Sequence, residues 1–197
     1  NVDFELLGLS SDDYPVFPEI ESGLKVEINV QELQSLIKRT IFSVSFDETK
    51  QFLNGILIQS VDDKLDFVST DGYRLALKQQ VIPPFEQQVS AIVPYKAVSE
   101  LNRVLQGLAA DQDVAISLSE TQITFRIGDF LLISRLNQGQ FPDYNQVIPE
   151  AADNVFKIKR TVFLAAAERA SLIASASNNV ARFQFQSDAV SITANAK

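Results

Sequence analysis

The side chains that most often perform acid–base or nucleophilic catalysis are scarce in this sequence. It contains no His and no Cys, so the commonest general base and the thiolate nucleophile are both missing. A catalytic nucleophile would therefore need a Lys or a carboxylate as its base, and no such pair is recognisable. The lack of Cys also excludes a disulfide scaffold and a thiolate metal site. The composition argues against an enzyme and directs attention to binding.

Carboxylates do cluster, at Asp12-Asp13 and at Asp62-Asp63. Both pairs fall in predicted turns or linkers, where solvated acidic residues are common. The segment Thr70-Asp71-Gly72 could form a metal-binding turn, but a two-residue hairpin turn explains it better because Gly accepts positive φ. Neither a Walker loop nor a GxGxxG motif is present. We therefore predict no metal site and no cofactor.

The predicted strand after this turn has an apolar side and a cationic side. Tyr73, Leu75 and Leu77 alternate with Arg74, Ala76 and Lys78. An ordinary strand with Leu75 in a core would show this pattern. The wall of a groove that accepts a partner's apolar side chains, with Arg74 on its rim, would show it too. The pattern alone leaves both interpretations open.

The elements that would position these residues repeat along the chain. Alternating apolar residues predict strands, and spacings of three and four predict helices. The first repeat has strand 24–30, a helix from Leu33 to Val44 and strands 54–60, 64–70 and 73–79; the second has strand 89–93, helix 95–107 and strands 113–118, 121–127 and 129–136; the third has strand 155–159, helix 160–175 and strands 180–186 and 189–195. One helix for several strands predicts an α+β fold with helices on one face of antiparallel sheets.

The repeat also predicts the domain organisation. The first two repeats form a middle domain that begins at residue 24, and residues 137–150, with Gly139, Pro142 and Pro149, look like a linker. The third repeat opens a further domain, and residues 1–23 are expected to be the tail of a preceding one. Because the chain begins at Asn1 without Met, we expect it to be part of a longer protein.

The charge is −8 overall and is unevenly distributed: residues 1–23 carry −6, residues 24–150 carry −5 and residues 151–197 carry +3. An acidic chain is a poor candidate for general adhesion to nucleic acid. Each predicted helix is nevertheless net +1, through Lys38, Arg39 and Glu32, through Lys96, Arg103 and Glu100, and through Arg160, Arg169 and Glu168. Solvated helix faces or a surface that faces phosphate would both explain this.

Four segments together resemble a known family. They are Leu53-Asn54-Gly55, the string STDGYRLA over 69–76, Gly128-Asp129-Phe130 and Phe141-Pro142-Asp143-Tyr144. Their order and spacing resemble the beta subunit of bacterial DNA polymerase III, the β sliding clamp family, over essentially the whole chain. The resemblance implies the DNA-clamp fold, with 1–23 as the tail and linker of a first domain, 24–148 as a complete middle domain and 152–197 as the start of a third.

The resemblance implies a processivity factor with no catalysis of its own. Two subunits would close head to tail into a cytoplasmic ring around duplex DNA, with helices lining the hole. Phosphates would be held through water, without sequence specificity. The ring would tether the polymerase III alpha subunit, the clamp loader and repair polymerases through motifs similar to Gln-Leu-x-Leu-Phe, with no cofactor and no membrane. The alternative is a peptide-binding adapter of the same fold that does not encircle DNA.

The resemblance also implies two sets of site residues. A partner pocket between the middle and third domains would use Leu53, Thr70, Gly72, Tyr73, Arg74, Leu75, Pro142, Gln146 and Val147. The DNA-facing residues would be Lys38, Arg39, Gln51, Phe52, Lys96 and Arg103. Tyr73 stands where many members have His, and Gln146 where some have Arg. The acidic residues Asp47 and Glu48, in the loop before Leu53, are poor phosphate partners.

Overall fold

The computed structural model describes residues 3–10, 12, 24–82, 88–151, 154–177 and 179–196. The chain divides into two compact units, Asn1–Asn145 and Gln146–Lys197. Most of the predicted domain tail and linker over 1–23 lies outside the described residues. No helix in the described ranges is long and apolar enough to span a membrane.

The first unit contains two repeats of strand, helix and three strands. They are β1 Leu24–Asn29, α1 Val30–Lys38, β2 Gly55–Val61, β3 Lys64–Thr70 and β4 Leu75–Val81, then β5 Ser90–Pro94, α2 Tyr95–Leu105, β6 Asp113–Leu118, β7 Gln122–Ile127 and β8 Phe130–Arg135. In the second unit lie α3 Arg160–Ala174, β9 Ala181–Phe185 and β10 Val190–Ala194.

The strands of the first unit exchange partners between the repeats. Within the described residues they form antiparallel sheets of order β1-β6-β7-β8 and β4-β3-β2-β5. The first strand of each repeat therefore joins the sheet of the other, with Val26 opposite Ile116 and Leu57 opposite Ile92. The predicted α+β fold with antiparallel sheets is confirmed. The exchange explains why the two repeats fold as one unit.

Both helices pack with their apolar sides against the inner faces of the two sheets. The carboxamide Oδ1 of Asn29 accepts a 2.8 Å hydrogen bond from the backbone N–H of Glu32 and starts α1, as an N-cap does. The apolar sides of the helices, Leu33, Leu36, Ile37, Val98, Leu101 and Leu105, are buried in one cluster with residues of both sheets. Gln34 Nε2 donates to the carbonyl of Leu105 at 2.6 Å and joins α1 to α2.

One glycine decides how closely β2 approaches β5. A Cβ added at Gly55 would lie 2.4 Å from the carbonyl oxygen of Val93, so no other residue fits this backbone contact. The preceding carbonyl, of Asn54, accepts hydrogen bonds from the backbone N–H of Tyr95 and from Asn137 Nδ2. The Leu-Asn-Gly motif is thus a structural junction between the repeats.

Three predicted elements are wrong. The first helix ends at Lys38 rather than Val44, because the chain tightens into a 3₁₀ turn over Ile41–Ser43 while the hydroxyl of Thr40 donates to the carbonyl of Leu36. The strand predicted over 155–159 is absent. In the first unit such a strand pairs with the other repeat, and the described second unit offers it no equivalent partner.

The third wrong prediction concerns the turn at Asp71-Gly72. Thr70 pairs directly with Leu75, so residues 71–74 form a four-residue loop and not a two-residue turn. Tyr73 and Arg74 therefore belong to the loop, and the alternating strand begins at Leu75. The other predicted elements are present, with ends shifted by at most two residues.

Candidate functional site

The face of the β4-β3-β2-β5 sheet that points away from the helices is also apolar. Leu77, Val68, Leu57 and Ile92 lie opposite one another on its four strands. We call these four residues the outer row; Leu75 extends it along β4, and it is buried at its centre and half-buried at β4. An antiparallel sheet often exposes polar residues on its outer face. This face instead needs a cover.

Part of that cover is the segment that follows β8. Phe141 and Tyr144 pack against the outer row, and the backbone N–H of Asn137 donates to the carbonyl of Ile92 at 2.8 Å. The prediction of a linker over 137–150 is therefore wrong as far as Tyr144. The composition of this segment is polar and includes prolines. It therefore did not indicate that two of its aromatic residues, Phe141 and Tyr144, pack on the sheet.

A buried carboxylate fixes this segment to the sheet. Asp66, on β3, is only 3% exposed, and its Oδ2 accepts a 2.9 Å hydrogen bond from the hydroxyl of Tyr144. Its Oδ1 accepts a bond of the same length from Gln79 Nε2. Burial, followed by the bond to Asp66, raises the pKa of Tyr144 to about 12. The phenol is therefore a permanent donor at neutral pH.

The loop over 71–74 is organised by Asp71. Its Oδ1 accepts from the backbone N–H groups of Tyr73 and Arg74 at 2.9 and 3.0 Å, and its Oδ2 accepts from Arg74 Nε at 3.0 Å. The bond from Tyr73 is the largest of the effects that lower the pKa of Asp71. Gly72 has φ of +92°, which favours glycine. The loop is an Asp-centred turn that leaves Tyr73 fully exposed.

The predicted pocket residues fall into distinct places. Thr70, Gly72, Tyr73, Arg74 and Leu75 come together in this loop and its flanking strand ends. Leu53 is buried at the turn before β2, and Pro142 is exposed on the covering segment. Gln146 and Val147 belong to the second unit and are exposed.

Phe42 is a neighbour of this loop that no sequence pattern indicated. The guanidinium carbon of Arg74 lies 5.8 Å from the centroid of the Phe42 ring, within the range of a cation–π contact. Phe42 is 55% exposed. It belongs to the 3₁₀ turn after α1, where helical periodicity predicted a continuing helix.

A cleft of about 950 Å³ is bordered by the covering segment and by residues of β2 and β5. Its lining includes Leu57 and Ile92 of the outer row, with Gln122, Arg135 and Tyr144. These residues come from four separate stretches of chain, so no local pattern could have indicated the cleft. Among the described residues, no group of three or more His, Cys, Asp or Glu side chains could hold a metal ion.

The predicted DNA-facing cations are exposed on the sides of the helices opposite the core. Lys38 and Arg39 lie at the end of α1, and Lys96 and Arg103 lie on α2. Glu100 stands between the α2 cations on the same side and pairs with Arg103. Lysine and arginine on one exposed side provide a positive surface that attracts phosphate. The negative charge of Glu100 on the same side weakens this attraction.

Two predicted DNA-facing residues precede β2. Gln51 is exposed, whereas Phe52 is half-buried and packs against the cluster of the outer row. In the preceding loop, Asp47 accepts hydrogen bonds from the backbone and hydroxyl of Thr49, and the hydroxyl bond is the larger cause of its lowered pKa. The Asp47 carboxylate therefore stays charged beside Lys50, at 4.0 Å.

Comparison with known proteins identifies the family. The protein-family model for the DNA polymerase III beta subunit, central domain, matches residues 27–143, which is more than half of the chain. The chain is 33% identical over 192 residues to the beta sliding clamp of Staphylococcus epidermidis, covering 97% of this chain and 50% of that protein. It is 31% identical to the beta sliding clamp of Synechocystis, covering 93% and 50%.

Solved structures agree with these sequence relatives. The DnaN sliding clamp of Pseudomonas aeruginosa, solved bound to griselimycin, superposes with a TM-score of 0.85 at 30% identity, covering 95% of this chain and 51% of that one. The clamp of Bacillus subtilis gives 0.84 at 31% identity, covering 93% and 49%. The chain spans about half the length of the curated relatives it matches. The resemblance drawn from its four motifs is confirmed, and this chain belongs to the DNA polymerase III beta subunit family, the β sliding clamps.

Proposed function

We propose that the protein containing this chain is a processivity factor of the bacterial replicative polymerase, without catalysis of its own. It closes as a head-to-tail homodimer around duplex DNA in the cytoplasm and slides on it. In this proposal residues 1–23 end the first clamp domain, 24–148 form the middle domain and 152–197 begin the third. The observation that carries the proposal is the two-sided middle unit, with cationic helices on one side and an apolar sheet face with its Asp71 loop on the other.

The helix side has the properties that a sliding surface needs. Lys38, Arg39, Lys96 and Arg103 are exposed, and Glu100 offsets part of their charge. Tight ion pairs with phosphate would hold a ring at one place, because each one makes binding strongly dependent on salt. A weakly cationic surface attracts the duplex without fixing it. Retention on DNA then depends on ring closure.

The sheet side supports a docking site for partner peptides. Leu77 of the outer row and Leu75 next to it are only half-buried, and the exposed Tyr73 and Arg74 lie beside them. Apolar anchors of a Gln-Leu-x-Leu-Phe-like motif would insert here, since buried apolar and aromatic contacts provide most of the affinity in such sites. We include Leu53, Thr70, Gly72, Pro142, Gln146 and Val147 in this site. The partners are the polymerase III alpha subunit, the clamp loader and repair polymerases.

The alternative is a peptide-binding adapter of the same fold that does not encircle DNA. Both functions use the sheet side, so they differ in what the helix side does. The acidic overall charge of −8 is compatible with either. Only a test of topology separates them.

The decisive experiment loads the intact protein that contains this chain onto nicked circular DNA with its clamp loader. Half of each sample is then linearised, and the protein that remains bound is measured in high salt. Retention on circles with loss from linear DNA supports a closed ring, because salt weakens ionic binding on both forms equally. Equal retention on both forms contradicts the ring and favours the adapter. A sample without clamp loader gives the background.

A further inference from the structure

Arg74 is held in place by side chains from separate parts of the chain. Asp71 Oδ2 accepts its Nε hydrogen bond at 3.0 Å, and the ring of Phe42 lies 5.8 Å from its guanidinium carbon. Neither Asp71 nor Phe42 belongs to the set of pocket residues assigned above. The arginine that borders the proposed site therefore has a fixed direction before any partner arrives.

The turn that bears Phe42 is itself anchored to the sheet. Ser69 Oγ donates to the carbonyl of Thr40, and the hydroxyl of Thr40 donates to the carbonyl of Leu36 at 2.7 Å. Ser69 and Thr40 are both buried. Since Ser69 is the last residue but one of β3, two residues before Asp71, these bonds fix the Phe42 turn relative to the loop that carries Arg74.

The contacts with Asp71 and Phe42 leave the terminal N–H groups of Arg74 available to bind a partner. Asp71 uses Nε, and in the part of the chain that the structure describes neither terminal nitrogen of Arg74 makes a hydrogen bond. The side chain is 59% exposed. The terminal N–H groups of a guanidinium form a planar pair of donors that suits an oxygen acceptor. Holding them in advance reduces the rotamer entropy that binding would otherwise cost.

We propose that Phe42 and Asp71 are positioning residues that orient Arg74 so that its terminal N–H groups bind a backbone carbonyl oxygen of the partner peptide. This inference rests on the proposed peptide site and assigns it a polar contact beside the apolar anchors. It also explains why Phe42, a large apolar residue, stays 55% exposed at this turn.

The test measures the affinity of the intact protein for a fluorescein-labelled peptide, Gln-Leu-Ser-Leu-Phe, by fluorescence anisotropy. Arg74→Gln removes the charge and the planar pair of guanidinium donors, and we expect binding about 10-fold weaker, as for a lost hydrogen bond from a charged group. Phe42→Leu keeps an apolar side chain and removes the π face, so we expect about 3-fold weaker binding. Phe42→Tyr keeps the face and should bind like the wild type.

Asp71→Asn tests the bond to Arg74 separately from the bonds that organise the loop. The Asn Oδ1 still accepts from the backbone of residues 73 and 74, whereas the charged partner of Arg74 Nε is lost. We expect about 3-fold weaker binding with an unchanged melting temperature. In the Arg74→Gln background, Phe42→Leu and Asp71→Asn should each change the affinity by less than about 1.5-fold, since they act through Arg74.

Each contrary result overturns a different statement. If Phe42→Leu weakens binding equally with and without Arg74, Phe42 is not a positioning residue. If Arg74→Gln has no effect while Leu75→Asp abolishes binding, the carbonyl contact is wrong and the peptide site stands. If Leu75→Asp also binds normally, the peptide site itself is wrong.

Discussion

The hydroxyl of Tyr144 donates a 2.9 Å hydrogen bond to Oδ2 of Asp66 and connects the covering segment to the centre of β3. Asp66 is 3% exposed and Tyr144 is 6% exposed. A buried carboxylate without partners would be costly, and Gln79 supplies a further donor to it. This relationship gives the Tyr of the Phe-Pro-Asp-Tyr motif a structural role. The hydrogen bond holds the covering segment over one part of the outer sheet face. The part around Leu75 stays accessible.

Tyr144→Phe should destabilise the protein by about 1–3 kcal/mol, because it leaves the buried Asp66 with an unsatisfied oxygen. The phenyl ring still fills the same space, so the loss reports the hydrogen bond and not a cavity. Urea denaturation measures it as a lower midpoint with an unchanged slope. Tyr73→Phe, at a fully exposed ring, is the matched control and should leave the midpoint unchanged. Equal midpoints for all three proteins would contradict the role of this bond.

The same phenol predicts a pH dependence at high pH. Its folded pKa is raised to about 12 from an ordinary value of 10.0, so the folded state holds the proton more tightly than the unfolded state. This contribution to stability is complete below the unfolded pKa and is lost as the pH rises through the folded one. The difference in unfolding free energy between wild type and Tyr144→Phe should therefore shrink between pH about 10 and pH about 12. Lysines titrate in both proteins and cancel; a constant difference across this window would refute the assignment.

Leu75→Asp should abolish binding of the partner peptide without unfolding the protein. Leu75 is half-buried beside the outer row, so the change removes an apolar anchor and costs stability of only about 1–2 kcal/mol. Anisotropy titration gives the affinity, and circular dichroism checks the fold. Val81→Asp introduces the same charge at the exposed end of the same strand and should bind normally. Comparable affinities for both variants would show that the outer row is not the binding surface.

Lys96→Glu combined with Arg103→Glu should weaken loading of the intact protein on DNA and leave peptide affinity unchanged. Both residues lie on the exposed side of α2, away from the outer row, and reversing their charge repels phosphate. Lys64→Glu with Arg126→Glu makes the same change in net charge on exposed strand positions. This control should load normally. If the two double variants load equally well, α2 does not face the DNA.

The repeat and most elements were predictable because apolar periodicity is local. Strands 64–70 and 113–118 were predicted with their exact bounds, and the helix faces of α1 and α2 followed from spacing. The errors arose where tertiary contacts override a local pattern. The Asp71-Gly72 turn is longer than a glycine signal suggests because Asp71 bonds the backbone of residues 73 and 74.

By itself, the sequence determined the family, the α+β class and the absence of any His or Cys for chemistry, since these depend on residue identity and order along the chain. Only the tertiary structure decided that β1 and β5 exchange sheets, that Tyr144 bonds Asp66, and that the Phe42 ring lies beside the guanidinium of Arg74. These pairings join residues that are far apart in the sequence. Their geometry is fixed by packing across the whole unit, and no local pattern of residues encodes it.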